Sequence, residues 1–532
     1  MSKEISKVLR HKSLNKVVLP TFFKIGPTFT LSIVTCMSLL VFVQPQLDTN
    51  YYIDEEFHAP QARHYCLGNF HIWDNKITTL PGFYLLSAAI IVPFTWVYHN
   101  FFILLGFVGK NANLQDDLCS LIILRIINSL SAPACLYLTY YSCLQFLSKS
   151  EKKRSRNSEW TLMFLALSAA TFPIVYAPYS FLYYTDVWAT VSVFLWYSCY
   201  LNKKSSLYLK IFLGMFSVLC RQTNIVWIVL ISINDICHCA EKMYAPIKKS
   251  DSTISYILAC VIQIGYISLK TKNERKKLVL FLKNCFYVTF PNIIVVVMFS
   301  FFVFFINNGD IVVGDRKSHR PSIHPMQLFY FVGFCFIFYI PRMVFYFYDY
   351  LMKSRNISIQ VLILFFNDKC YKISSKIFIT LVGISSILIY LNTMAHPFLL
   401  SDNRHYIFYV WKLFYGHNKP LFLRYLPVPF YAYGLYVLDL KIKKVSFAFT
   451  LSYWLTTSGL LCAQYLLEPR YFVVPFLFYR LHTDAYNSNT SKMAFFEFII
   501  YQFINIVIMW IFLYRPFIST MDNSGRLDRF TW

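Results

Sequence analysis

Charge is what this chain has least of. Only 14% of its 532 residues are Asp, Glu, Lys or Arg, against 57% hydrophobic and 19% aromatic, with a mean hydropathy of +0.47. A water-soluble chain of this length needs far more charge to cover its surface, so the soluble globular class is excluded and the apolar excess must face lipid. Acids are scarcer than bases, 26 against 50, and the net charge is +24. The bases fall in short loops between apolar runs, where they set membrane orientation, so nucleic acid is not expected as a partner. The sequence also lacks any CxxC pair among its 14 cysteines, any HExxH or DxD, any internal repeat and any low-complexity tract. No cofactor and no metal are therefore expected: Cys237-His238-Cys239 has no second half, and the cysteines read as buried free thiols. The missing repeat argues against an inverted-repeat transporter.

What is present is a series of apolar runs. In lipid each must satisfy its own backbone hydrogen bonds, so the fold class is an all-α integral membrane bundle of about twelve spans. The basic N-terminus, residues 1–25, is expected in the cytosol, followed by an uncleaved first span at 26–44. Residues 45–117 then form the first luminal loop. Its apolar part, 80–108, reads as an interfacial helical hairpin, because a crossing there would leave Lys152, Lys153 and Arg154 on the wrong side. Further spans are expected at about 118–147, 160–177, 186–202, 205–219, 225–238, 286–306, 326–350, 376–394, 420–440, 445–463 and 496–514. A single transmembrane domain thus covers 26–514, with a basic cytosolic loop at 239–285 and a cytosolic tail at 515–532.

Polar chemistry collects on the luminal side of this topology. The first loop carries Asp54, Glu55, Glu56, His58, Arg63 and Asp74. A carboxylate at a membrane interface can serve as a general base, since partial desolvation lifts its pKa toward working pH. Later turns supply Asp186, then Arg221 and Gln222, then Asp315, Arg316 and His319. His396 follows, with Asp402, Asn403, Arg404 and His405, and finally Glu468 and Arg470. Four arginines, Arg221, Arg316, Arg404 and Arg470, stand on the side where the positive-inside bias disfavours them. They suit an anion at the interface, and guanidinium forks suit phosphate. The plainer reading is that they pair with Asp315, Asp402 and Glu468 in their own turns. Without DxD, a donor that needs no metal, such as a lipid monophosphate sugar, is favoured. The sequon at Asn489 is expected to be luminal and that at Asn356 cytosolic.

Several blocks carry a family resemblance: YYIDEEFHAPQARHYC with WDNKITTLPG, CRQTNIVW, IVVGDRKSHRPSIHPMQLFYF, HPFLLSDNRHYIFYVWK and LLEPRYFVVPFLFYRL. Together they resemble the dolichyl-phosphate-glucose-dependent α-1,2-glucosyltransferases of the endoplasmic reticulum, from the first span to the chain's last residues. The resemblance implies a GT-C type bundle with luminal interfacial helices and a metal-free inverting transfer. The implied donor is dolichyl phosphate glucose and the implied acceptor a diglucosylated dolichyl-diphosphate oligosaccharide, both held at the lipid bilayer. It implies Asp54 as base with Glu55 second, Asp74 as partner or acceptor anchor, and Arg404 and Arg470, then Arg221 and Arg316, for the lipid phosphate. Glu56 stands where the family pattern has an apolar residue, and Pro469 where it has an aromatic. The alternatives are a mannosyl transferase of the same superfamily and a transporter or channel-associated subunit. For the last, Arg125 and Arg342 are the mid-bilayer charges to watch.

Overall fold

The apolar runs fold as helices in a computed structural model. It describes residues 43, 45, 47, 51–104, 119–148, 156–244, 272–316, 321–354, 373–416, 418–485, 491–518 and 527–532. The expected cytosolic N-terminus, most of the first span, His319 and both sequons lie outside these residues.

In chain order the helices are α1 (Glu55–Cys66), α2 (Gly82–Leu104), α3 (Leu121–Leu147), α4 (Arg156–Ala170), α5 (Pro173–Tyr176), α6 (Thr185–Leu201), α7 (Leu207–Cys220), α8 (Ile225–Tyr244) and α9 (Lys272–Phe301). They continue as α10 (Met326–Ser354), α11 (Ser375–Asn392), α12 (Pro397–Ser401), α13 (Tyr406–Tyr415), α14 (Val428–Lys443), α15 (Phe447–Cys462), α16 (Val473–Ala485) and α17 (Ser491–Tyr514). A two-residue ribbon pairs β1 (Phe517–Ile518) with β2 (Leu527–Asp528), antiparallel. Six segments are long and apolar enough to cross a membrane alone: Leu121–Leu147, Gln222–Lys242, Arg275–Ile306, Met326–Asp349, Ser375–Asn392 and Ser491–Tyr514. The pair α4–α5, bent by 41°, makes a seventh. The bend sits at Pro173, which has no N–H to continue the helix. At the break the Thr171 carbonyl accepts from Asn505 Nδ2 at 2.8 Å, as an apolar setting demands.

The connections place every second helix end on one face, which also carries Asp54. From there α3, α4–α5, α6, α7, α8, α9, α10, α11, α14, α15, α16 and α17 run alternately away and back. The sequence reading differs from the structure at two helices: it expected a hairpin over 80–108, where Gly82–Leu104 is one continuous helix. It also gave no span to α16, whose 13 residues include Arg480, His482 and Asp484. Those charges depress hydropathy, but they are neutralised inside the bundle. Arg342 and Arg480 each bind both Asp484 and Glu497, at 2.8–3.0 Å, in a closed ring less than a tenth exposed. One helix more reverses everything after it, so of the tail expected on the cytosolic side, 515–532, the described residues 515–518 and 527–532 lie on the face that carries Asp54. There Arg529 caps the end of α17, donating to the carbonyls of Phe512 and Leu513 at 2.6 and 2.8 Å.

A second correction concerns the cysteines. Cys66 at the end of α1 and Cys119 just before α3 form a disulfide, and not the free thiols expected. It returns the chain at 119 to the face it occupied at 66, whatever path α2 takes between. Arg125 and Arg342, the two charges that a transport pathway would use, are both closed in ion pairs.

Candidate active site

The first loop begins with a strained turn. Ile53 has φ of +57°, a left-handed conformation that a β-branched side chain rarely adopts, at a cost of about 1–3 kcal/mol. The turn sets Asp54 at the N-cap of α1 and drives Glu55 inward. Glu55 is fully buried: Oε1 accepts from Arg125 Nε at 2.9 Å and from the Tyr183 amide at 2.8 Å, and Oε2 from Arg125 Nη2 at 2.6 Å and the Tyr52 amide at 3.2 Å. All four in-plane acceptor positions of the carboxylate are filled. Glu55 thus clamps the strained turn to α3 and to the Tyr183 segment, and no lone pair is left for an incoming proton. Asp54 is the opposite case. Its side chain is 42% exposed, and its amide donates to the Tyr184 hydroxyl at 3.0 Å.

Around Asp54 the fold gathers residues from three distant turns. Asp186, in the first turn of α6, binds Arg221, which ends α7. Arg470, in the short turn Pro469–Phe472, binds Glu468 at 2.9 Å, Asp186 at 3.2 Å and Asp54 at 3.5 Å. Its guanidinium lies over the rings of Tyr179 and Tyr184, 5.5 and 5.7 Å from their centroids, and Nε is buried without a partner. Arg221 lies 5.5 Å from the Tyr471 ring centre. Such aromatic faces hold a cation without neutralising it. The surroundings of Asp54 push its pKa up, but Arg470 above all, with His405 behind it, outweighs them and holds it below the usual carboxylate range. Asp54 is therefore ionised at neutral pH. His58 is driven the other way by burial, stays neutral, and shares a proton with the Tyr84 hydroxyl at 2.6 Å.

Below this cluster is an open pocket whose empty volume, counting the part open to solvent, is about 520 Å³. Asp186, Arg221, Thr223, Asn224, Gln464 and Arg470 line its polar part, and Ile174, Val175, Trp227, Leu460, Val473 and Val474 its apolar part. The polarity is that of an amphipathic ligand, with an anionic head at the arginines and an apolar body toward the bundle.

The remaining predicted residues stand at measured removes. Arg404 is bidentate to Asp402, at 2.9 and 2.7 Å, within its own turn, the plainer of the two readings the sequence offered. His405 faces Asp402 at 3.5 Å, and both His405 and Arg404 lie near enough for their charges to act on Asp54. Arg316 turns to Asp310 and Asn307, at 3.3 and 2.5 Å, and has no bond to Asp54, Asp186 or Glu468 among the described residues. Its loop, with Asp315, instead packs on the Trp73-Asp74 turn: a Cβ at Gly314 would fall 2.1 Å from the Ile77 carbonyl oxygen. Asp74 stabilises that turn by accepting from the Lys76 amide at 2.8 Å. Gln61 then ties the turn to α1, and Gln222 ties it to the end of α7 through the Thr78 carbonyl at 2.7 Å. Glu56 and Arg63 are exposed on α1. His396 caps α12, and Asn403 Oδ1 is buried without a partner. Among the described residues no three His, Cys, Asp or Glu side chains gather at metal-binding spacing. Sequence reasoning named Arg125 only as a possible transport charge and missed its bond to Glu55, the Tyr179–Tyr184 pair and the tail, because an aromatic or basic residue in an apolar run gives no signal of its partner.

Residues 48–481 match the DIE2/ALG10 family. Two human proteins named Dol-P-Glc:Glc(2)Man(9)GlcNAc(2)-PP-Dol alpha-1,2-glucosyltransferase are similar to this chain. They are 31% and 32% identical over 493 and 498 residues, covering 90% of this chain and 93% of each relative. An Arabidopsis thaliana protein of the same name is 28% identical over 519 residues, 90% of this chain and 94% of its own. No solved structure matches. A match over most of the chain, with the site turns inside it, shows that the protein belongs to the DIE2/ALG10 family.

Proposed function

We propose that the chain transfers glucose from dolichyl phosphate glucose to a diglucosylated dolichyl-diphosphate oligosaccharide in α-1,2 linkage, in the endoplasmic reticulum membrane. The observation that carries this reading is the pairing of one open carboxylate, Asp54, with two arginines held on aromatic faces above an amphipathic pocket. The acceptor 2-hydroxyl attacks the anomeric carbon and loses its proton to Asp54. The bond from that carbon to the phosphate oxygen breaks, and the dolichyl phosphate leaves with the electron pair, stabilised by Arg470 and Arg221. Asp186 and Glu468 hold both guanidiniums in place before the donor arrives.

Arg470 couples the two halves of the step. In the resting site it is the strongest of the influences that lower the Asp54 pKa. A donor phosphate that draws Arg470 toward itself takes away that influence, and Asp54 becomes a stronger base once the donor is bound. The luminal placement of the site rests on the Cys66–Cys119 disulfide, which lies on the same face and belongs to an oxidising compartment. The lysines at 203–204 and 441–444 fall on the opposite face, as the positive-inside rule asks of the cytosol.

The test uses purified full-length protein in lipid nanodiscs, supplied with the diglucosylated acceptor lipid and either dolichyl phosphate glucose or dolichyl phosphate mannose. The expected product is one added glucose, removable by an α-1,2-specific glucosidase. Equal transfer of mannose, or transfer of neither sugar, overturns the reading.

A further inference from the structure

The last six residues lie beside the site although nothing in the proposed chemistry uses them. Thr531 makes a parallel bridge with His405: its amide donates to the Arg404 carbonyl at 2.9 Å, and its carbonyl accepts from the Tyr406 amide at 2.8 Å. Trp532 follows. Its indole N–H donates to the Pro173 carbonyl at 3.1 Å and its ring meets Tyr406 at 5.3 Å, which fixes its main-chain oxygen. That oxygen accepts from two groups, the Tyr179 hydroxyl at 3.0 Å and His405 Nδ1 at 2.6 Å. Tyr179 is the ring under Arg470.

His405 therefore has an acceptor at each ring nitrogen: the Trp532 oxygen at Nδ1 and the Asp402 carboxylate, 3.5 Å away, at Nε2. A neutral imidazole carries one N–H and serves only one of them, whereas the imidazolium serves both. We propose that the segment Leu527–Trp532 is a positioning element of the donor-phosphate site, holding His405 as an imidazolium and so adding a fixed cation beside Arg470. The inference rests on the glucosyltransferase reading above. The groups that face His405 are Asp402 on its own turn, the Trp532 oxygen, Arg470 and Glu468 on the turn before α16, and Asp54 at α1. Burial opposes charge on the ring and Arg470 repels it, but Asp402 prevails, and the His405 pKa lies above its ordinary value. The charge is present below that raised pKa and is lost as pH climbs through it.

The segment also braces the rest of the wall. Arg529 spans the end of α17 and lies over the Tyr52 ring, 5.1 Å from its centre, next to the strained turn that carries Asp54. One strap thus touches both the acid side and the cation side of the site.

Steady-state transfer is measured against donor and acceptor separately, from pH 5.5 to 8.5, for wild type, a deletion of residues 527–532, Thr531→Pro, His405→Gln and the double variant Thr531→Pro/His405→Gln. Thr531→Pro removes one hydrogen bond, that to Arg404, and leaves the bundle intact, so the decision is read on it if the deletion does not fold. Donor KM is expected to rise about tenfold in the pH window between the ordinary His405 pKa and its raised value, the scale of losing one charge-assisted contact, with acceptor KM unchanged. The rise in donor KM with pH should begin at lower pH than in wild type, because a loosened His405 titrates nearer its ordinary value. In the His405→Gln background Thr531→Pro should add nothing further. Wild-type donor KM in Thr531→Pro, or a full additional effect on top of His405→Gln, overturns the proposal. Wild-type protein that transfers no glucose fails the functional reading instead, which separates the two.

Discussion

Two clusters of acids and arginines lie at opposite ends of this bundle, and they are built from nearly the same parts. At one end Arg342, Arg480, Asp484 and Glu497 close a four-membered ring in which each arginine binds both acids. At the other, Arg221 and Arg470 meet Asp54, Asp186 and Glu468. The first cluster has two cations for two anions, no member more than 9% exposed, and no open side. The second has an extra carboxylate, and the extra one, Asp54, is both its most exposed member and its most loosely bound, at 3.5 Å. A satisfied ring ties α10, α16 and α17 together and has no capacity left for a ligand. An incomplete cluster over a pocket has capacity on both sides, a carboxylate for a proton and guanidiniums for an anion. The difference between structure and chemistry here is one of saturation, not of residue type.

The sharpest way to break this comparison is to remove one carboxylate from each end. Asp54→Asn should lower kcat by roughly 10² to 10⁴-fold, the usual worth of a positioned base, while thermal unfolding in detergent stays at the wild-type temperature. Glu497→Ala should do the reverse. Leaving Arg342 and Arg480 buried and half paired costs about 3–5 kcal/mol, so the melting temperature falls and the folded fraction keeps its kcat. A stability loss from Asp54→Asn equal to that from Glu497→Ala would show that both clusters are structural.

The same contrast explains what the sequence did and did not disclose. Hydropathy located the long spans because their signal is local. It passed over α16 because Arg480, His482 and Asp484 count as penalties in sequence, although Arg342 and Glu497, more than a hundred residues before and several after, cancel the charge in space. The orientation of the tail was lost with that helix, and with it the strap on His405. The acidic island drew attention to the stretch on which the distant arginine turns converge, since three adjacent acids stand out in an apolar chain. Choosing between Asp54 and Glu55 needed the turn at Ile53 and the position of Arg125, and neither is written locally. Arg404 and Arg470 looked alike as luminal arginines. Each has a carboxylate two residues before it, but Asp402 takes two donors of Arg404, whereas Glu468 takes only one of Arg470, which reaches across with another to α1 and α6.

A smaller effect sharpens the comparison within the site. Arg470→Gln should raise donor KM by about 10- to 100-fold, from the loss of about 1.5–3 kcal/mol of charged hydrogen bonding. It should also move the pH profile. Asp54 works as a base only when ionised, and its pKa is held down chiefly by Arg470 among its neighbours, so activity is lost as pH falls through that depressed value. Without Arg470 the acid limb of kcat/KM, which reports the free enzyme, should shift to higher pH. Arg404→Gln should leave the limb closer to wild type, because Arg404 spends its charge on Asp402.

The smallest effect concerns the turn that separates the two carboxylates. Ile53 holds a left-handed backbone that costs about 1–3 kcal/mol for a β-branched residue, and glycine adopts it without strain. Ile53→Gly gives up that strain but frees the unfolded chain, and Ile53 is itself buried, so the net change in stability should be within about 1–2 kcal/mol. Its effect on catalysis should be larger than its effect on folding. The Glu55 clamp still holds one side of the turn, but the Asp54 carboxylate gains freedom toward solvent, and a displacement of about 1 Å at a reacting group costs up to about 10²-fold. A drop in kcat of several-fold, at unchanged donor KM and nearly unchanged melting temperature, would assign the strain to the placement of Asp54. An equal loss in kcat and in donor KM would assign it to the arginine side instead, since the turn also carries the amide that Asp54 donates to Tyr184, the ring beneath Arg470.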